Sequence, residues 1–251
     1  MYATPPSPGA PIPRQPAALA ARLDSTLHGL GAAIDQWRPP RSRPPEDVTL
    51  DALYEQRIVI LLAEHRRLAS AVFRHLPGAK EVRSDVLARR GLRRLSHPRP
   101  LRVFKTGPAA PAYRLRAFYA EAQRRFHVGW SVLAAVNYVE SAFNKLRNSS
   151  SAGAQGPMQF IPATWRAYGM GGNVHDPHDA ILGAANYLHA NGAPRNYPGA
   201  LFRYNPSPFY VEAVLRYARM IQTDPRAFYV LYSRQVFVRT PHGLVRLTGP
   251  R

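Results

Sequence analysis

The chain has 251 residues, 34 Lys and Arg against 15 Asp and Glu, a net charge of +19 and no cysteine. The lack of Cys excludes disulfides, thiolate metal sites and cysteine nucleophiles, and no apolar run reaches the ~18 residues of a membrane-spanning helix. The charge, nearly all of it arginine, predicts a polyanionic setting such as wall polymers, a membrane surface or nucleic acid, but a GC-rich genome gives the same composition, so charge alone selects none of these.

Residues 1–18 are rich in Pro and Ala and read as an unstructured leader. The start, Met1-Tyr2-Ala3-Thr4-Pro5-Pro6, lacks the basic and then apolar segments of a secretory signal. An amphipathic segment follows from about Ala17 to Trp37. Arg38-Pro39-Pro40-Arg41-Ser42-Arg43-Pro44-Pro45 then reads as a basic linker, because Pro lacks the amide donor and restricts the residue before it. One helix is predicted from Asp47 or Thr49 up to Leu76, on the spacing of Leu50, Leu53, Ile58, Leu61, Leu62, Leu68 and Val72, with Pro77-Gly78 as its stop. A second, Lys80 to Leu95, carries Arg89, Arg90, Arg93 and Arg94, which read as a solvated face or an anion grip.

Past a linker at about Ser96–Pro111, a helix covers about Tyr113–Arg125 and the next begins near Gly129. On that helix Glu140 lies one turn from Val136 and two from Leu133, on their apolar side. A carboxyl group there is partly desolvated, which raises its pKa and keeps it protonated as a general acid. The competing reading is an exposed helix Glu beside Lys145 and Arg147. The loop Asn148–Gly156 is built from small residues that permit close approach. Pro162-Ala163-Thr164-Trp165 opens a helix, and Asp176 or Asp179 caps another that runs through Leu188. A short segment at Ala200–Tyr204 and a long helix at about Tyr210–Gln222 follow. Alternation around Pro241-His242-Gly243 predicts a hairpin.

The nine His residues show no His-Glu-x-x-His spacing. A metal is conceivable only where His175 and His178 adjoin Asp176 and Asp179, and both acids read first as caps. There is no nucleophile elbow and no phosphate-binding Gly loop, and aromatics do not interleave with the basic runs as in a single-strand binder.

What remains is an ordered series: Glu140-Ser141, Ser150 through Gly156, Met158-Gln159, Pro162-Ala163-Thr164, Tyr187-Leu188 and Tyr204-Asn205. From about residue 113 to 222 this resembles the catalytic domain of bacterial lytic transglycosylases, the soluble murein transglycosylase (SLT) type with a lysozyme-like domain. Two departures concern loop shape: Pro157 precedes Met158, and Pro206-Ser207 follow Tyr204-Asn205. The resemblance implies a single catalytic residue, Glu140, acting first as acid and then as base. It also implies substrate contacts from Ser141, Ser150, Gln159, Tyr187 and Asn205, a sugar-facing wall from Met158 and Phe160, and a hydrogen bond from Tyr204 to Glu140. Core packing is the other reading of Met158 and Phe160, and a local cap that of Ser141. Acids are absent from Ser141 to His175, which fits a one-carboxylate scheme; most hydrolytic glycosidases use two.

The expectation is a mainly α protein. It comprises a Pro/Arg-rich leader and linker (1–46), a helical extension (47–111), a lysozyme-like catalytic domain (112–222) and a tail with a β-hairpin (223–251). The expected activity is cleavage of the MurNAc–GlcNAc bond of peptidoglycan with formation of 1,6-anhydro-MurNAc. The alternatives are a hydrolysing muramidase and a non-catalytic basic module that binds wall or nucleic acid. No metal or cofactor is expected. The expected partners are glycan strands, with anionic wall polymers or the membrane surface reached through the charge and no specific nucleic acid. The expected location is extracytoplasmic despite the missing signal, and the oligomeric state is not readable.

Overall fold

The computed structural model describes residues 4–37 and 43–250. Met1–Ala3 and the Arg38–Ser42 part of the expected linker lie outside the described residues. The architecture is mainly helical: α1 (Pro16–Trp37), α2 (Glu46–Glu64), α3 (Arg66–His75), α4 (Lys80–Leu95), α5 (Ala112–Phe126), α6 (Trp130–Ser141), α7 (Pro162–Tyr168), α8 (Pro177–Ala190), α9 (Tyr197–Tyr204), α10 (Pro208–Thr223) and α11 (Arg226–Ser233). The chain ends in an antiparallel hairpin of β1 (Phe237–Thr240) and β2 (Gly243–Arg246), with Val238 opposite Val245.

Three elements differ from the sequence reading. The chain from Thr4 to Gln15 has no helix, yet it is tied down: Arg57 donates to the Pro8 and Ala10 carbonyls at 3.1 and 2.9 Å, and the Tyr54 hydroxyl donates to Pro11 at 2.8 Å. Proline-rich chain lacks donors but keeps its carbonyls, and α2 supplies the donors. The single helix expected up to Leu76 is two, α2 and α3, broken at His65 (φ −114°, ψ 87°). The physical difference lies in their faces. α2 is buried almost all round, whereas α3 buries only Ala69, Val72 and Phe73, and the bend lays that one face across α1. Helix α11 was not foreseen; Pro225 opens it and its Phe228, Leu231 and Tyr232 are buried.

The apolar residues gather into two clusters. The larger is centred on α6, α8 and α10 through Leu133, Val136, Ile181, Val214 and Tyr217, and also takes in Leu30, Ile34, Val48, Ala52 and Ala88 from the N-terminal helices. The smaller joins α1 to α4 through Leu19, Leu23, Ile58, Leu62, Val72 and Val86. α10 packs against α4 on one side and α6 on the other, so the N-terminal helices share a core with the helix that carries Glu140.

A buried polar network fastens the tail to both. The fully buried Arg234 guanidinium donates to both Glu55 carboxylate oxygens, at 2.8 Å from Nη2, and to Asp85. It also donates to the Tyr138 hydroxyl at 3.3 Å, while the Tyr217 hydroxyl donates to Asp85 at 2.9 Å. Gln56 and Gln235 exchange two bonds of 2.8 and 2.9 Å. Lys145 Nζ donates to the carbonyls of Tyr232 and Arg234 at the end of α11.

Candidate active site around Glu140

α6 begins after Gly129, whose amide donates to the Tyr197 hydroxyl at 2.8 Å. Its run from Ser131 to Asn137 is buried, so the helix is threaded through the core and its last turn alone reaches a rim. Glu140 sits in that last turn, partly buried. The helix is closed abruptly by Ala142 (φ 49°), Phe143 (φ 61°) and Asn144 (φ 67°), three consecutive non-glycine residues in the left-handed region. For a bulky residue such as Phe this conformation is a genuine outlier, and each such position costs on the order of 1–3 kcal/mol.

Two features hold this turn. The Phe143 ring is fully buried against Tyr138, Phe228 and Tyr232, at centroid distances of 5.6, 5.5 and 5.9 Å. The Ser141 hydroxyl accepts from the Asn144 amide at 2.8 Å and donates to the Pro157 carbonyl at 2.6 Å. Ser141 is 2% exposed, so its expected sugar contact gives way to the local cap: its oxygen is already engaged on both sides.

Burial pushes the Glu140 carboxyl up from an ordinary 4.5 to about 7, against the opposing pull of a hydrogen bond from Tyr210, whose hydroxyl donates to Oε1 at 2.7 Å. The two cations that a solvated Glu140 would have had beside it point elsewhere. Lys145 is engaged with the end of α11, and Arg147 donates to the Pro108 carbonyl at 2.8 Å. A carboxyl group left without a cation, and partly out of water, stays protonated near neutral pH.

Tyr210 is the residue the sequence reading missed. Tyr204, expected to bond Glu140, instead donates to the Met158 carbonyl at 2.6 Å. Its ring lies nearly parallel to that of Tyr210, 6.4 Å away, and the Glu140 charge, after burial, helps push both phenols above their ordinary value. The reason is positional: α9 ends at Tyr204, and Pro208 starts α10 so that Tyr210 falls in the first turn facing α6.

The remaining candidates separate into those the fold brings to the site and those it uses for support. Met158 is fully buried and Phe160 is 3% exposed. Phe160 packs on Trp165, Tyr204 and Tyr187 at 5.2, 5.7 and 6.5 Å. Both therefore take the core role rather than the sugar wall, and Met158 contributes its backbone carbonyl to Tyr204. Gln159 adopts φ 51° and donates from Nε2 to the Gly156 carbonyl at 3.0 Å, which leaves its own amide oxygen without a partner among the described residues. Gly156 (φ 74°) is obligatory, because a Cβ there would lie 1.9 Å from the Val174 carbonyl oxygen. Ser150 accepts the Ala154 and Ala152 amides at 3.0 and 3.2 Å and shapes the small-residue loop. Tyr187 stacks edge-on to Tyr204 at 5.3 Å and donates to the Arg203 carbonyl at 2.8 Å. Asn205 closes α9 through its backbone.

Asp176 and Asp179, the two acids next after His175, are engaged in capping. Asp176 accepts the His178 and Asp179 amides at 2.8 and 3.2 Å, and Asp179 accepts the Asn173 amide at 2.9 Å. The His178 ring bridges Glu121 and Asp179 at 3.0 and 3.2 Å. Donor atoms of Asp176, His178 and Asp179 come within 4.8 Å of one another, the spacing a cation needs, but these atoms already serve the start of α8. The influences on Glu140 itself are burial and Tyr210, with no second carboxylate among them.

Residues 118–224 match the family model described as the transglycosylase SLT domain. The chain is also 29% identical over 160 residues to membrane-bound lytic murein transglycosylase F 1 of Alkalilimnicola ehrlichii, covering 58% of this chain and 32% of that relative. It therefore spans about a third of the relative's length. No solved structure matches. The stretch that carries Glu140 and Tyr210 is thus the part of the chain that is similar to SLT domains, the similarity the motifs implied.

Proposed function

We propose that this chain is a peptidoglycan lytic transglycosylase with Glu140 as its one catalytic acid and base. The observation that carries the reading is a carboxyl group in the last turn of a buried helix, raised by burial to about 7, bonded by one phenol and, among the described residues, with no charged partner. Such a group is populated both as acid and as base at neutral pH.

In the first step protonated Glu140 gives its proton to the glycosidic oxygen between MurNAc and GlcNAc. The C1–O bond breaks and GlcNAc leaves with a free 4-hydroxyl. The carboxylate so formed then takes the proton of the muramic acid C6 hydroxyl, and O6 bonds to C1. Atoms balance without water: the product ends in 1,6-anhydro-MurNAc, and Glu140 is again protonated. Tyr210 donates to the charged form that exists between the steps, where a charge-assisted bond is strongest. Gln159, whose amide oxygen has no partner among the described residues, and the Tyr187–Tyr204 face supply polar and aromatic contacts suited to a neutral sugar. Action on peptidoglycan places the work outside the cytoplasm. Among the described residues no helix is long and apolar enough to cross a membrane.

The test is mass spectrometry of fragments released from purified peptidoglycan. Products lighter by one water than reducing-end fragments are expected, and their loss in Glu140→Gln with binding to insoluble wall retained. Reducing-end MurNAc alone would assign the site to hydrolysis, and unchanged clearing by Glu140→Gln would remove Glu140 from the chemistry.

A further inference from the structure

An open cleft of about 1080 Å³ is bounded by the α2–α3 junction, α4, Phe209 at the start of α10 and Arg239 of β1. Seven of its fifteen lining residues are arginine, against two glutamates. Three of the arginines are partly engaged by the protein. Arg90 donates to the Leu62 and Ala63 carbonyls at 2.9 and 3.1 Å, Arg239 donates to Ser96 at 3.1 Å, and Arg94 lies 4.6 Å over the Phe209 ring. The other four, Arg14, Arg66, Arg67 and Arg93, are exposed, and their guanidinium groups have no partner among the described residues. Of the two acids, Glu212 is bonded to Arg216 at 2.7 Å. The other, Glu64, is exposed, so the lining keeps an excess of positive charge that the protein does not neutralise.

We infer that this cleft is a binding site for a linear phosphodiester polymer without bases, of the polyol phosphate kind. Guanidinium groups donate in a fixed fork that matches anionic oxygens, and their uncompensated positive charge favours an anionic ligand. The unpartnered groups come from the segment before α1, the start of α3 and the last turn of α4, so one anion cannot satisfy them and a chain of anions can. Single-stranded nucleic acid needs free aromatic faces for its bases. Phe209 is the one Phe, Tyr or Trp in the lining, and Arg94 covers it, which leaves His65 as the one uncovered ring. A membrane surface is flat, whereas this site is concave, and Leu87 is its one large exposed apolar side chain. The inference stands on the cleft alone and does not depend on Glu140 being catalytic.

The experiment titrates the whole 251-residue chain with labelled poly(glycerol phosphate) over a range of salt. The triple variant Arg66→Gln/Arg67→Gln/Arg93→Gln is expected to bind at least about tenfold more weakly, with a salt slope shallower by about three, one per lost phosphate contact. A control, Arg124→Gln/Arg125→Gln/Arg195→Gln, removes the same charge from exposed positions elsewhere and is expected to bind as the parent does. Equal weakening in both variants would overturn the site in favour of net charge. Tighter binding to oligothymidylate, polyglutamate or phosphatidylglycerol vesicles at matched anion concentration would overturn the ligand class. Release of glycan fragments is expected to be unchanged in the cleft variant, so loss of polymer binding and loss of cleavage are read separately.

Discussion

Glu140→Gln exchanges a carboxyl for an amide of nearly equal volume that can still accept from Tyr210, so it isolates the charge. Raising the carboxyl from 4.5 to about 7 corresponds to about 3–4 kcal/mol at about 1.4 kcal/mol per unit. The group is partly exposed at the rim, so solvent screening brings this to about 2–3 kcal/mol. The sign follows from proton counting. Between 4.5 and about 7 the native state holds a proton that the unfolded chain has released, so stability falls as pH rises through this window. The contribution is absent below the window and is a full penalty above it. Gln carries no such penalty. The stability gap between variant and parent should therefore widen, in favour of the variant, by about 2–3 kcal/mol between about pH 4 and about pH 8.5. For a chain of this size that is a Tm gap opening by about 4–12 °C. Calorimetric scans of both proteins across this range give the measurement, because every other titrating group cancels in the difference. Parallel stability curves would mean that the carboxyl is solvated in the native state, and the acid–base assignment would lose its physical basis.

Three further outcomes follow from the geometry. Tyr210→Phe removes the donor to Oε1, a charge-assisted bond worth about 1.5–3 kcal/mol, so the alkaline limb of the pH–rate profile should move up by about one to two units; a limb that stays in place would mean that Tyr210 does not face the ionised form. Met158→Ala should cost about 2–5 kcal/mol of stability in urea titrations, as for any fully buried large side chain, with KM little changed; a raised KM at unchanged stability would restore the sugar-wall role. Arg234→Met leaves Glu55 and Asp85 buried without their cation, which should cost about 3–5 kcal/mol. Restoring neutrality with Glu55→Gln and Asp85→Asn in the same chain should recover much of it.

The local and the long-range parts of this structure were unequally legible. Helices with their own punctuation could be read directly: Asp176 before Pro177, Pro162 at the first turn of α7, and the Arg-rich α4 from Lys80 to Leu95. So could Glu140, since its helical offset from Val136 is local. The break at His65 was not, because it carries neither Pro nor Gly and arises from what α2 and α3 each have to bury. Tyr210 was hidden for a related reason. Its bond to Glu140 spans seventy positions, and the Tyr-Asn pair ending at Asn205 drew the assignment to Tyr204. The available signal was a tyrosine in the first turn of a Pro-started helix. The left-handed run from Ala142 to Asn144 has no glycine to announce it, and the packing of Phe143 together with the Ser141 hydroxyl makes it tenable.

The fastening of the tail decides where this protein can be cut. A fragment ending at residue 224, where the family match stops, would discard Arg234 and both carbonyls that receive Lys145. It would strand Glu55, Asp85 and a lysine whose pKa burial already pushes down to about 7, and it would remove the Phe228 and Tyr232 rings that clamp Phe143 in its left-handed turn. The boundary drawn by similarity is therefore not a folding boundary. An excised SLT stretch that is inactive would report a collapsed helix end under Glu140 and carry no information about the chemistry. Dissection of this protein belongs to point substitutions in the whole chain.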